Sequence, residues 1–190
     1  VQPSPGVFKG EYDYSRSANP TRTALEANLA SLEGGAHGLA FGSGVASLAA
    51  TLHLLRSGDH VILCDDVYGG TYRVFKTIFE QFGIKATRVD MTNAGAVEAA
   101  VTPETKLMWL ETPTNPLMTL TDLAAVAKIA RKRGARTVVD NTFMSPYFQR
   151  PLELGIDIVL HSTTKYINGH SDSIGGIVVT DDDDTAERLV

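Results

Sequence analysis

The 190-residue chain has a single cysteine, Cys64, so no disulfide can form within it. A fold without crosslinks fits a reducing cytoplasm, the expected location. Lys and Arg number 17 against 22 Asp and Glu, a net charge of −5, and basic residues form no cluster that would suit nucleic acid. No apolar run approaches the roughly 20 residues needed to span a bilayer. No signal-peptide pattern opens the chain. Neither a nucleic-acid nor a membrane partner is therefore expected. Internal repeats and low-complexity tracts are also missing. What remains is ordinary globular composition, 43% hydrophobic and 21% charged, sufficient for one sizeable core. Residue 1 is Val rather than Met, and Asp184–Val190 reads as a helix that has only begun. The expectation is a part of a longer polypeptide.

Residues 1–19 are rich in Pro, Gly, Ser and Tyr, show no sustained period, and read as an extended arm. From Pro20 the pattern is helical, with Leu25, Leu29 and Leu32 spaced by four and three and Gly34-Gly35 ending the run. Short apolar runs then alternate with helical patterns. Strands are expected at Gly38–Phe41, His60–Cys64, Ala86–Val89, Leu107–Leu110, Thr137–Val139, Ile156–Leu160 and Ile174–Val179. Helices are expected at Val45–Arg56, Thr71–Phe82, Ala94–Ala100, Asp122–Arg133 and from about Thr185. Such alternation predicts an α/β fold, a mostly parallel seven-stranded sheet covered by helices on both faces. Ligands of such sheets sit beyond the carboxyl ends of the strands. The acidic run Asp181–Asp184 reads as a solvated helix start rather than a metal site.

Four polar groups fall just past a strand candidate. Phe41-Gly42-Ser43-Gly44-Val45 turns a strand into a helix through small residues, and free amides at a helix start suit a phosphate. The same segment would serve equally as a plain tight turn. Asp140 ends an apolar strand. It could be a base, a metal ligand, a partner for a cationic heterocycle, or only the cap of the next turn. His161-Ser162-Thr163-Thr164-Lys165 places two hydroxyls beside a lysine, the side chain that condenses with aldehydes. By itself it could be a surface lysine. Tyr68, in Asp65-Asp66-Val67-Tyr68-Gly69-Gly70-Thr71, could stack on a flat ring or pack at a turn that the glycines support. Together a phosphate cradle, a strand-end acid and a strand-end lysine are the parts of a pyridoxal 5'-phosphate (PLP) site.

Five segments carry a resemblance to a known family. They are Tyr14-Ser15-Arg16-Ser17-Ala18-Asn19-Pro20-Thr21-Arg22, Asp66–Thr71, Glu111-Thr112-Pro113-Thr114-Asn115-Pro116, Val139–Phe143 and Ser162–Asp172. They resemble the Cys/Met-metabolism PLP enzymes, and within that family Asp140–Pro151 is most similar to the cystathionine γ-lyases. The resemblance implies the aspartate-aminotransferase-like (type I) fold and a carbon–sulfur lyase acting on sulfur amino acids. It implies that Lys165 binds the cofactor covalently, that Asp140 faces the pyridine nitrogen, and that Tyr68 stacks on the ring. The Gly44 and Val45 amides with the Ser162 and Thr164 hydroxyls would hold the phosphate. Asn115 would lie near the 3-oxygen and the substrate carboxylate. Tyr14 and Arg16, on the arm 1–19, would reach the phosphate in a neighbouring subunit of a homo-oligomer, commonly a tetramer. Residues 20–190 would form the large domain, incomplete at its end, with the family's C-terminal domain and its carboxylate-binding arginine outside this stretch.

Alternatives remain at this level. Cystathionine γ-synthase, cystathionine β-lyase and methionine γ-lyase share these motifs; methionine γ-lyases carry Cys two residues after the stacking tyrosine, where this chain has Gly70. Ser162-x-x-Lys165 also fits the S-x-x-K pattern of serine acyl-transfer enzymes, but the S-D-N and K-T-G partner motifs are missing and the lysine follows a strand. A non-catalytic module on the same fold is the other reading. Cys64 and Trp109, both inside apolar runs, are expected in the core. His161 and His170 lack partners at metal-ligand spacing, so no metal is expected. Thr112-Pro113 and Asn115-Pro116 are candidates for cis bonds.

Overall fold

A computed structural model describes residue 12 and residues 14–190. Of the arm expected over 1–19, residues 1–11 and 13 lie outside the described residues; the Tyr14 carbonyl accepts the N–H groups of Ser17 and Ala18, which makes a turn of what was read as extended. The helix expected from Pro20 is α1 (Pro20–Glu33). Its start obeys local rules: the Asn19 side chain accepts the Thr21 and Arg22 amides, and Pro20 fills the first turn, where no N–H partner is needed. Gly34 ends it in the left-handed conformation, φ +76°. Its buried face is not the leucine row. Leu29 is buried, but Leu25 and Leu32 are exposed, because α1 approaches the sheet through small residues. A Cβ at Gly38 would sit 2.3 Å from the Glu26 carbonyl oxygen and 3.3 Å from Ala30 Cβ.

The seven strands are β1 (His37–Phe41), β2 (His60–Cys64), β3 (Lys85–Val89), β4 (Thr105–Glu111), β5 (Arg136–Asp140), β6 (Ile158–His161) and β7 (Gly176–Thr180). They form one sheet in the order β1-β7-β6-β5-β4-β2-β3. Pairs β2/β3, β2/β4, β4/β5 and β5/β6 are parallel, and β7 runs antiparallel to both β6 and β1. All strands except β7 therefore end at the same edge. β2, β6 and β7 are buried throughout, as continuous apolar runs in a doubly covered sheet should be. Trp109, on β4, is fully buried with its ring edge-on to Phe75 at 6.2 Å. Cys64 is buried as well, and desolvation pushes its thiol up to about 11, so it behaves as a small hydrophobe.

The helices after α1 are α2 (Gly44–Leu52), α3 (Gly69–Thr77), α4 (Ala94–Ala99), α5 (Leu123–Arg133), α6 (Ser145–Phe148) and α7 (Asp183–Leu189). Two expected helices are shorter. The run to Arg56 stops at Leu52. The run Thr71–Phe82 breaks at Ile78 into α3 and a 3-10 helix, Phe79–Phe82, and both Phe75 and Phe79 turn inward. Gly69-Gly70, read as turn residues, begin α3. Asp182 caps α7 by accepting the Thr185 N–H, so the acidic run is a helix start as expected. Both Thr112-Pro113 and Asn115-Pro116 are cis. Among the described residues no helix is long and apolar enough to cross a membrane.

The Gly38 contact generates a prediction. Gly38→Ala forces α1 off β1 and should lower stability by about 1–3 kcal/mol, read as a lower urea midpoint at unchanged slope. An unchanged midpoint would show that the contact yields without cost.

Candidate active site

Five chain segments leave the sheet at the edge where its parallel strands end, and they enclose a cavity of about 400 Å³. Eight of the ten residues singled out from the sequence line it: Gly44, Val45, Tyr68, Asn115, Asp140, Ser162, Thr164 and Lys165. Tyr14 and Arg16 do not. Their side chains pair with each other, the guanidinium 5.1 Å from the ring centroid, and Arg16 borders a separate groove beside α1.

One corner is the start of α2. Ser43 caps it by accepting the Ala46 N–H at 3.0 Å, and the Gly44 and Val45 amides at the helix start have no acceptor within the helix. A Cβ at Gly44 would lie 2.7 Å from Ser162 Cβ and 3.0 Å from its Oγ. Only glycine permits that approach, and it brings amides and the Ser162 hydroxyl together. Thr164 is partly committed. Its hydroxyl donates to the Gly175 carbonyl at 3.2 Å and accepts the Gly175 N–H at 3.1 Å. Lys165 lies in a turn after β6, its N–H donating to the Ser162 carbonyl at 3.2 Å, so the S-x-x-K segment does not open a helix.

Asp140 ends β5. Its Oδ1 accepts the Thr142 N–H at 3.1 Å and the Thr142 hydroxyl. Burial raises the pKa of this carboxyl, and the Thr142 bonds and nearby His161 pull it back in part. Thr142 also accepts the Ser162 N–H at 2.9 Å, joining the aspartate segment to the lysine segment. Behind them lies a buried polar cluster. Glu33 of α1 bonds to His161 Nε2 and accepts from Asn141 Nδ2 at 2.9 Å, and Gln149 donates to Asn141 Oδ1 at 2.8 Å. Glu33 Oε2 and His161 Nδ1 are buried without a partner among the described residues.

Glu111 was not anticipated as a site residue. It ends β4 in register with Asp140 and lines the same cavity. Its two oxygens accept the Tyr68 N–H at 2.8 Å and the Asn115 N–H at 3.0 Å. Burial first, and then the Asp140 charge, push its carboxyl up to about 8. The available signal was the one used for Asp140, an acid closing an apolar strand. Tyr68 immediately precedes α3 and is about half exposed, and its ring lies against Gly70, where a Cβ would fall 2.3 Å from Tyr68 Cε1. Exposed Leu117, Tyr147, Phe148, Tyr166 and Ile174 add an apolar surface on neighbouring segments.

The Glu111–Asp140 pair makes stability depend on pH. A carboxyl whose folded pKa exceeds the ordinary 4.5 binds its proton more tightly when folded. Its contribution is complete below about pH 4.5 and is lost as pH rises through about 8. Urea midpoints of the protein without added ligand should therefore fall between these limits, and Glu111→Gln should flatten the slope. A Gln variant with the same slope would assign the dependence to other groups.

The family model for Cys/Met metabolism PLP-dependent enzymes matches residues 4–190. Cystathionine gamma-lyase of Bacillus subtilis (strain 168) is 55% identical over 188 residues, 99% of this chain and 49% of that protein. Cystathionine beta-lyase of Coxiella burnetii is 53% identical over 191 residues, 100% of this chain and 49% of that protein. The crystal structure of cystathionine gamma-lyase from Lactobacillus plantarum complexed with L-serine superposes with a TM-score of 0.95 at 50% identity, covering 100% of this chain and 49% of that one. The chain thus spans about half the length of the curated relatives it matches. The type I PLP-transferase fold expected from the motifs is the fold observed, and the chain belongs to the Cys/Met metabolism PLP-dependent enzyme family.

Proposed function

We propose that this chain is the cofactor-binding large domain of a PLP-dependent carbon–sulfur lyase acting on sulfur amino acids, and that its reaction is γ-elimination of cystathionine to cysteine, 2-oxobutanoate and ammonia. The observation that carries this reading is the convergence of an amine, a strand-end carboxyl, an aromatic ring and a helix N-terminus on one cavity. The cavity fits the cofactor. Its volume of about 400 Å³ suits a small organic ligand. The Gly44–Ser162 approach forms an anion-sized corner of amides and hydroxyl. A cationic ring nitrogen facing Asp140 would offset the burial that raises that carboxyl's pKa.

When bound, PLP supplies an aldehyde for an amine and a heterocycle that takes up charge from the substrate Cα. In this reading the Lys165 amine would hold the cofactor covalently and would also be the base for the substrate Cα proton. Asp140 would keep the pyridine nitrogen protonated. Tyr68 would cover the ring and assist the departing thiolate. Asn115 orients the 3-oxygen and the substrate carboxylate. Gly44, Val45 and Ser162 hold the phosphate; Thr164 joins them by exchanging its bond to the Gly175 carbonyl. Tyr14 and Arg16, which stand apart from their own cavity, serve the phosphate of a neighbouring subunit. The exposed apolar side chains on neighbouring segments support a homo-oligomer, a tetramer built from active dimers. Residues 1–19 are the arm, 20–190 the large domain, and the protein is cytoplasmic.

The similarity to a β-lyase as well as to a γ-lyase supports cystathionine β-elimination as the second reading; γ-synthase activity is a further outcome of the same assay. Methionine γ-elimination is disfavoured by Gly70.

Two outcomes are expected of the full-length protein. Lys165→Ala should abolish the visible absorbance of bound cofactor and lower turnover at least about a hundredfold; normal turnover in that variant ends the assignment. Cystathionine should yield cysteine and 2-oxobutanoate, whereas homocysteine and pyruvate would establish the β-lyase.

A further inference from the structure

Two acidic side chains cross between the loops that carry Tyr68 and Asn115. Glu111, at the end of β4, accepts the Tyr68 N–H at 2.8 Å and the Asn115 N–H at 3.0 Å. Asp66, two residues before Tyr68, reaches in the opposite direction. Its Oδ2 accepts the Thr114 hydroxyl and the Leu117 N–H, the latter at 3.0 Å. Each segment thus supplies an acid to the other. Glu111 is only 6% exposed, so water competes little for its bonds. No side chain caps α3, which leaves the Tyr68 backbone held by Glu111. The Tyr68 ring is placed by the notch at Gly70.

We infer that Glu111 and Asp66 are positioning residues, a reciprocal clamp of acidic side chains that fixes Tyr68 relative to Asn115 across the cofactor site. The inference rests on reading the cavity as the PLP site. Both acids act through the two loops rather than on the reacting atoms. A shift of about 1 Å in a positioned group can cost up to about a hundredfold in rate, so the clamp belongs to the reaction as well as to the fold.

The bonding pattern dictates the variants. Both Asp66 bonds fall on one oxygen, so Asp66→Asn can keep them through its carbonyl, while Asp66→Ala removes them. The Glu111 bonds fall on different oxygens, so Glu111→Gln must lose one. In the full-length PLP-loaded protein, Glu111→Gln and Asp66→Ala should each lower kcat between about tenfold and a hundredfold and alter the visible circular dichroism of the bound cofactor. Asp66→Asn should recover most of both. The double variant should lose less than the product of the single losses. Wild-type kcat and dichroism in Glu111→Gln and Asp66→Ala would overturn the clamp, as would Asp66→Asn losing as much as Asp66→Ala. If Glu111→Gln fails to fold by thermal melting, the Asp66 pair decides alone. Lys165→Ala separates the two levels: if it keeps normal turnover, the PLP reading falls, whereas a collapse there with silent clamp variants removes only the clamp.

Discussion

Asp140 and Glu111 end neighbouring parallel strands in register, and two acids side by side, Glu111 buried and Asp140 half-buried, are the constraint around which the site is arranged. Two carboxyl groups so placed cannot both ionise without help from nearby donors or a cation. The surrounding bonds share out that help unequally. Asp140 takes two bonds from Thr142, while Glu111 takes two backbone amides from separate loops.

The same bonds give the cavity its shape. Thr142 ties the end of β5 to the segment carrying Lys165. Glu33 reaches from α1 beneath both, to His161 and Asn141. α1 is therefore anchored directly behind the site. Gly44 and Gly70 act by absence of a side chain: one admits the α2 amides to Ser162, the other admits the Tyr68 ring over the start of α3.

Much of this was legible in the residues. Period and punctuation located all seven strands: the central ones as continuous apolar runs of a doubly covered sheet, and the edge strand β3, Lys85–Val89 and largely exposed, by its place between two helical patterns. Helix ends were less legible. α3 breaks at Ile78 so that Phe79 can join Phe75 in the core, a tertiary demand that local periodicity does not carry. The leucine spacing of α1 located the helix but carries no information on its buried face: close packing against β1 selects small residues, so Leu25 and Leu32 remain outside.

The sequence by itself determined the alternation of elements and the chemical parts: an amine, a strand-end acid, an aromatic ring and a glycine-rich helix start, each just past a strand. Their meeting follows from topology, since parallel strands end at one edge. Only the tertiary structure decided that Glu111 stands beside Asp140, that Asp66 and Glu111 exchange bonds between loops, and that Tyr14 and Arg16 lie away from the cavity of their own chain. Those facts depend on register and on contacts between residues more than 40 positions apart, which no local pattern encodes.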